Sequence, residues 1–427
     1  MRKLIASSMM LALTAGGTLV ATPAGSATAA TASPKKVPTP FALRTNGFGS
    51  RVRGGQVPAG SSSTAWQNIG CTNNAGVVRE NHEAQENLPG IGTASEIATK
   101  VWTIHKHGKV MSRSRSTIAR ITLADSPLGS LQINGIKSVS KTWHDARGFH
   151  AANHSRIGSI TLTPAGGQPQ DQGLPTPNQP IDIPGLVTIY LGSPTRSASA
   201  HSARAANDAL RIVSAATGTR ARVAHSFAQI NDGIVHGIFA GYASGSRINA
   251  ADGTVTSGRT PYAPMPCQGT AAKVRTKHLA GSNLGGQVVV GAENTAQMAK
   301  QNDRRAVGYE QGSVASVDIG GGQLHVDGIV GRVHVLRKGS RFNKVVANIK
   351  GTTIGSITAN GQEQSFDPGQ KTLEIPGIAK LERKVKHKVR GGLEVTALRI
   401  TLLDANGQVK SVINLGQAKM AIHKSGL

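Results

Sequence analysis

Cysteine and histidine recur together twice in this chain. Cys71 is followed eleven residues later by His82, and Cys267 by His278 at the same interval. A thiol within reach of an imidazole is the core of a cysteine nucleophile. Here the pair sits in strand-and-loop sequence, and both copies would have to be active. A structural cysteine beside a surface histidine accounts for the same spacing. No G-x-S-x-G, H-E-x-x-H or P-loop pattern accompanies either pair. Histidines also occur as His105-x-His107, which a strand would place on one side, and as His150 and His154 in a segment that reads as loop. A zinc site needs a third protein ligand. With 22 acidic residues in the whole chain and no Asp-rich loop, calcium is disfavoured too. The expectation is therefore no catalytic, cofactor-binding or metal-ligating residue, and no cofactor.

The clearest local pattern is LERKVKHKVR, in which Lys384, Lys386, Lys388 and Arg390 alternate with Val385, His387 and Val389. On a strand this puts four cations on one face. One purpose is edge protection, since lysines discourage pairing with another chain. The other is a docking stripe for a phosphate or carboxylate polymer. Further basic stretches lie at residues 106–120 and 332–344.

These residues are positioned by a duplication. The stretch CQGTAAKVRTKHLAGSNLGG from Cys267 repeats CTNNAGVVRENHEAQENLPG from Cys71 without a gap. From Gly49 to Gly90, 14 of 42 residues are identical to those 196 positions later. Downstream, IGSIT, GQ-x-Q, IPG and ALRI recur in the same order. Two tandem homologous domains follow, over residues 41–235 and 236–427. A fainter Gly-Gly-Gln repeat, at Gly54, Gly285 and Gly321, raises a solenoid as an alternative.

The N-terminus reads as a secretory leader over residues 1–29: Arg2 and Lys3, a broken apolar run, then Ala27-Thr28-Ala29. Residues 30–40 read as a Pro-rich linker, and no later segment is apolar enough to span a bilayer. The formal charge is +26, falling to +24 when Arg2 and Lys3 leave with the leader. Such an excess attracts polyanions. Aromatic residues are only 3% of the chain, which argues against base-stacking platforms and specific nucleic-acid recognition. In an exported chain, Cys71 and Cys267, its only cysteines, either pair across the copies or remain as two free core residues.

Val-, Ile- and Thr-rich alternation predicts strands at residues 98–105, 116–123, 130–139, 156–162 and 181–191, then at 314–319, 323–336, 393–404 and 408–422. Residues 198–216 are Ala-rich, but the strand-like LEVTALRITLL of the second copy predicts a strand for their second half. Asn360-Gly361 and Asn406-Gly407 mark tight turns. The predicted class is all-β: two β-sandwich-like domains, with stacked hairpins or a solenoid as the alternative.

The second copy also resembles a known family. GSRINAADGTVTSGRTPYAPMPC, NLGGQVVVGA and VASVDIGGGQLHVDGIV, followed by NGQ, IPG, LEVTALRI and QAKMAI, are similar to the actinobacterial choice-of-anchor P proteins. The resemblance implies an exported, surface-associated protein and brings no catalytic residue with it. The sequence after His423 shows no anchor, so charge-based retention or release is expected over wall tethering. The expected function is a non-enzymatic surface module held to anionic envelope polymers. The alternatives are a hydrolase-like enzyme with an inter-domain site, and a structural spacer or assembly subunit.

Overall fold

Alternation with period two makes strands, and in this chain strands account for all the regular structure among the described residues. The computed structural model describes residues 35–54, 63–126, 129–250, 258–284, 288–338, 344–403 and 408–424. The leader, the first part of the linker and the Asn406-Gly407 turn lie outside them. The first half contains β1 (Val37–Arg53), β2 (Gln67–Ala75), β3 (Val78–Leu88), β4 (Gly92–Lys106), β5 (Lys109–Ser126), β6 (Gly129–Asp145) and β7 (Gly148–Arg156). It continues with β8 (Ser159–Thr163), β9 (Gln170–Asp171), β10 (Ile181–Ile183), β11 (Val187–Leu191), β12 (Thr195–Ser199), β13 (Ser202–Ser214) and β14 (Arg220–Asn231). The second half contains β15 (Ile238–Ala250), β16 (Thr260–Pro264), β17 (Arg275–Leu279), β18 (Ser282–Leu284), β19 (Val288–Val290), β20 (Glu293–Gln301), β21 (Arg305–Ile319) and β22 (Leu324–Lys338). After these come β23 (Val345–Asn348), β24 (Ile357–Ala359), β25 (Gln362–Gln364), β26 (Thr372–Ile375), β27 (Ala379–Val389), β28 (Gly392–Leu403) and β29 (Val409–His423).

The strands form four antiparallel sheets. In the first half one sheet runs β10-β11-β13-β14-β1-β2 and the other β3-β4-β5-β6-β8-β9. The second half repeats both orders, as β26-β27-β28-β29-β15-β16 and β17-β20-β21-β22-β24-β25. The two sheets of each half face each other across aliphatic side chains: Val52, Ile97, Ile121, Ile133, Ile212 and Val223 in the first, Val317, Val326, Leu398, Ile400 and Leu415 in the second. Among the described residues no solenoid rungs are present, and Gly285 of the Gly-Gly-Gln repeat lies outside them. Gly320, Gly321 and Gly322 make the β21–β22 turn, and Gly54 follows directly on β1.

Part of each interface is polar and close. Ser112, Ser114 and Ser116 of β5 donate Oγ–H across to the carbonyls of Arg44, Asn46 and Phe48 on β1, at 2.8–2.9 Å. Such contact with facing backbone leaves no room for larger side chains. In the second half, a Cβ on Gly331 would lie 1.8 Å from the Gly416 carbonyl, so only glycine fits there.

Several sequence expectations change. Val37–Pro40, assigned to the linker, is already β1, and Thr39 is buried with its hydroxyl donating to the Asn73 carbonyl. Pro38 and Pro40 fit because β14 begins pairing with β1 only at Ala42, so at these residues the strand is paired on its β2 side alone. Residues 181–191 are a hairpin, turning at Gly185 with φ +75°, and residues 156–162 break between β7 and β8. His150 and His154 lie on β7, not in a loop. Residues 202–214 form β13, so the strand expected from the second copy's sequence is present. Asn360 and Gly361 make their turn with φ +49° and +75°.

Candidate functional site

The features of this site begin with an irregularity in β1, β13 and β14. Ala224 of β14 has φ +50°, and register is kept on both sides of it: Phe48 faces His225 and Ser50 faces Val223. The side chains, however, exchange faces there. On β14 the core receives Ala221 and Val223, then Ser226, Ala228 and Ile230. On β13 it receives Ala203 and Ala205, then Leu210 and Ile212; on β1, Leu43 and Thr45, then Ser50 and Val52. All three strands switch parity along one transverse line.

The switch gathers arginines onto the outer face. Cross-strand partners there form rows over β13, β14 and β1: Arg204–Gln229–Arg44, Ala206–Phe227–Asn46, Asp208–His225–Phe48, Arg211–Arg222–Arg51 and Val213–Arg220–Arg53. Seven arginines thus share the face of these three strands with one carboxylate, Asp208, while Asp182 of β10 ends the Val213–Arg220–Arg53 row at the sheet margin. Asp208 accepts from Arg222 Nε and Nη2 at 2.9 and 3.0 Å and lies 2.7 Å from His225 Nδ1. Burial works against the charged form of Asp208, but the bonds to His225 and Arg222 more than offset it and hold its pKa below the usual range. Arg51 is held below its usual pKa by burial first, then by the charges of Arg53 and Arg222. Rings lie beneath the guanidinium groups: Phe227 under Arg44 and Arg204 at 5.8 and 5.3 Å, Phe48 under Arg222 at 5.6 Å and Tyr190 under Arg211 at 4.4 Å.

Three cavities follow this face. One of about 500 Å³ is lined by Arg51, Arg53, Arg211, Arg220 and Arg222. A second, of about 890 Å³, shares Arg222 and lies between the halves, where Arg44 and Arg204 meet Pro264, Arg275, Lys277 and Gln297 of the second half. The third, of about 350 Å³, shares Arg44 and Arg275 and reaches Asn231, Cys267 and Gln268. Among the described residues, no carboxylate lines any of the three.

The halves are fixed around this cleft. Cys71 and Cys267 form a disulfide with a Cα–Cα distance of 5.3 Å, so neither is a thiol nucleophile. Gln301 Oε1 accepts from the backbone N–H groups of Val235, His236 and Gly237 in the connection between halves, at 2.8–3.1 Å. His82 is exposed on β3 and reaches Glu80 at 3.7 Å. His107 sits in the β4–β5 turn with φ +50°, so His105 and His107 do not share a strand face as expected. His150 lies 3.1 Å from Asp145, in an ion pair that Lys109 joins at 3.5 Å.

Comparison with protein families and with curated proteins finds no match to this chain. The assignment of a site therefore rests on geometry, and the second half supplies an internal control. Counted from Gly416, which takes φ +59° where Ala224 takes +50°, the positions of Arg44, Arg53, Arg204, Arg220 and Arg222 are held by Ala240, Asn249, Gly392, Val412 and Asn414. Only Arg247 and Arg399 remain, and Glu382 neutralises Arg399 at 3.6 Å. The fold does not require the arginine face.

The Lys384–Arg390 pattern is placed differently from expectation. β26 pairs with β27 as far as Glu382, and the Arg383 N–H still donates to the Lys371 carbonyl at 2.8 Å, so the sheet edge begins at Lys384 and runs to Val389. Lys384 itself has φ +50°. Lys386 and Lys388 lie opposite Val395 and Leu393, on the core side of the sheet, yet stay exposed at its margin. Arg390 leaves the strand and enters the turn with Gly391. Inward-pointing lysines on an unpaired edge are an edge-protection device. The arginine face was missed because its members come from three distant strands. The Arg-x-Arg pairs at Arg51/Arg53 and Arg220/Arg222 were its available signal.

Proposed function

We propose that this chain is a non-enzymatic, exported module that binds linear anionic polymers of the cell envelope through the outer face of β1, β13 and β14. One observation carries the reading: arginines directly oppose arginines, Arg51 with Arg222, Arg211 with Arg222 and Arg53 with Arg220. Like charges in cross-strand pairs cost stability, about 0.2–1 kcal/mol each. A surface that carries that cost in one half and not in the other is organised for an anion. The formal charge, +24 without the leader's Arg2 and Lys3, supplies long-range attraction toward it. Export is supported by the leader-like N-terminus and by the disulfide, which belongs to an oxidising compartment. The resemblance to choice-of-anchor P proteins agrees with surface association.

The test is retention on purified envelope over a salt series, with the wild type beside Arg51→Gln/Arg53→Gln/Arg220→Gln. Binding should weaken steeply with salt, and the variant should bind less with a shallower salt slope. Retention that ignores both salt and the substitutions would overturn the reading.

A further inference from the structure

The cleft between the halves holds something a purely cationic surface would not. Asn231 and Gln297 line it, and each is more than nine-tenths buried, at 7% and 5% exposure. Asn231 Oδ1 and Gln297 Oε1 are buried acceptors without a hydrogen-bond partner among the described residues. Gln297 uses its amide N–H on the Pro264 carbonyl at 3.4 Å, which leaves the acceptor end as its free function. An orphaned acceptor calls for a donor. Phosphate diesters and ionised carboxylates have none to give, and hydroxyl groups do.

Cations and orphaned acceptors in one cleft define a ligand carrying both acid groups and hydroxyls. We propose, building on the polyanion reading above, that the inter-half cleft is a binding site for an acidic glycan. Its acid groups are met by Arg44 and Arg204 from the first half and by Arg275 and Lys277 from the second. Its hydroxyls donate to Asn231 Oδ1 and Gln297 Oε1, which are closed off as the side chains stand and turn toward the ligand on binding. Length fits a polymer: Arg44 and Arg51 are seven residues apart on one strand, roughly 23 Å at the usual rise. Arg222 lines both this cleft and the cavity around Arg51. A glycan chain leaving the cleft therefore continues over the arginine rows. Nucleic acid fits less well. It asks for several open rings in succession, whereas Phe48, Phe227 and Tyr190 lie under guanidinium groups.

The experiment measures binding of the full chain, disulfide intact, to four probes at matched charge concentration: polygalacturonate, a phosphomannan, inorganic polyphosphate and oligothymidylate. Both glycans should bind more tightly than polyphosphate at moderate salt, by about tenfold. Their ratio tells carboxylate from phosphate as the preferred acid group. Gln297→Ala should weaken glycan binding and leave polyphosphate binding unchanged. Arg275→Gln/Lys277→Gln, both at exposed positions, should weaken all four probes while leaving the melting curve in place, so a loss cannot be misread as unfolding. Polyphosphate or oligothymidylate binding as well as the glycans, or Gln297→Ala affecting every probe equally, would overturn the glycan assignment and leave the charge reading standing. Failure of all four probes to bind at low salt would remove both.

Discussion

Arginine opposed to arginine makes a prediction of unusual sign: removing them should stabilise the protein while weakening its binding. Arg51→Gln/Arg53→Gln relieves two separate cross-strand oppositions, Arg51 with Arg222 and Arg53 with Arg220. Each is worth about 0.2–1 kcal/mol. The Arg222 charge is already met by Asp208, which places its pair toward the lower end. The two together come to about 1 kcal/mol, or a rise of about 2–4 °C in the melting temperature of a half this size. Melting curves at low salt should show it. In about 1 M salt, where the Debye length falls to about 3 Å, the gain should disappear. Affinity for a single-chain polyanion should fall in the same variant, with the slope of log K on log salt shallower by about 0.7 per arginine removed. A variant that melts lower at low salt, or gains stability equally at every salt concentration, would refute the reasoning. The arginines would then be held for the packing of their aliphatic stems.

Two further outcomes can be stated. Removing the Cys71–Cys267 bridge, as Cys71→Ala/Cys267→Ala, should cost about 5 kcal/mol in the chain-entropy account of a loop this long, given a separation of 196 residues. It should show in urea titration as an earlier transition of the first half, and an unchanged transition would mean that the bridge orders the cleft without stabilising either half. Glu310, fully buried with neither carboxyl oxygen partnered among the described residues, has its pKa pushed well above the ordinary 4.5 by burial. A carboxyl raised in the folded state loses stability as pH climbs above the unfolded value. Glu310→Gln should therefore gain on wild type by about 1.4 kcal/mol for each pH unit from about 4.5 up to the folded pKa. A difference between the two proteins that does not change between pH 4 and pH 8 would show that the carboxyl titrates normally.

The repeat of the sheet order in the second half was legible because matched motifs keep their order along the chain. The all-β class was legible because Val, Ile and Thr alternate over most strands. The disulfide was half legible: equivalent positions made pairing one of two outcomes, and only the packing of the halves decided it. The arginine face was hidden by the parity switch. Counting by twos puts Arg44 opposite in face to Arg51 and Arg53, and Arg204 opposite to Arg211. The parity switch that β13, β14 and β1 share, marked on β14 by left-handed Ala224, cancels that count, and alanine at such a position carries no warning. At Lys384 the same event misled in the other direction, because LERKVKHKVR alternates perfectly on paper while the chain turns over inside it.

One property of the sheet order has consequences beyond binding. The first and last strands of each half are hydrogen-bonded neighbours, with Ala42 beside Asn231 and Ile238 beside His423. Each half therefore enters and leaves at a single corner, like a cassette with both contacts on one side. Two such halves in series need nothing more than the short joint at residues 232–237, with no rerouting of strands. The same layout suits either half to excision and grafting through two adjacent junctions, or to circular permutation by joining its own ends and reopening a surface turn.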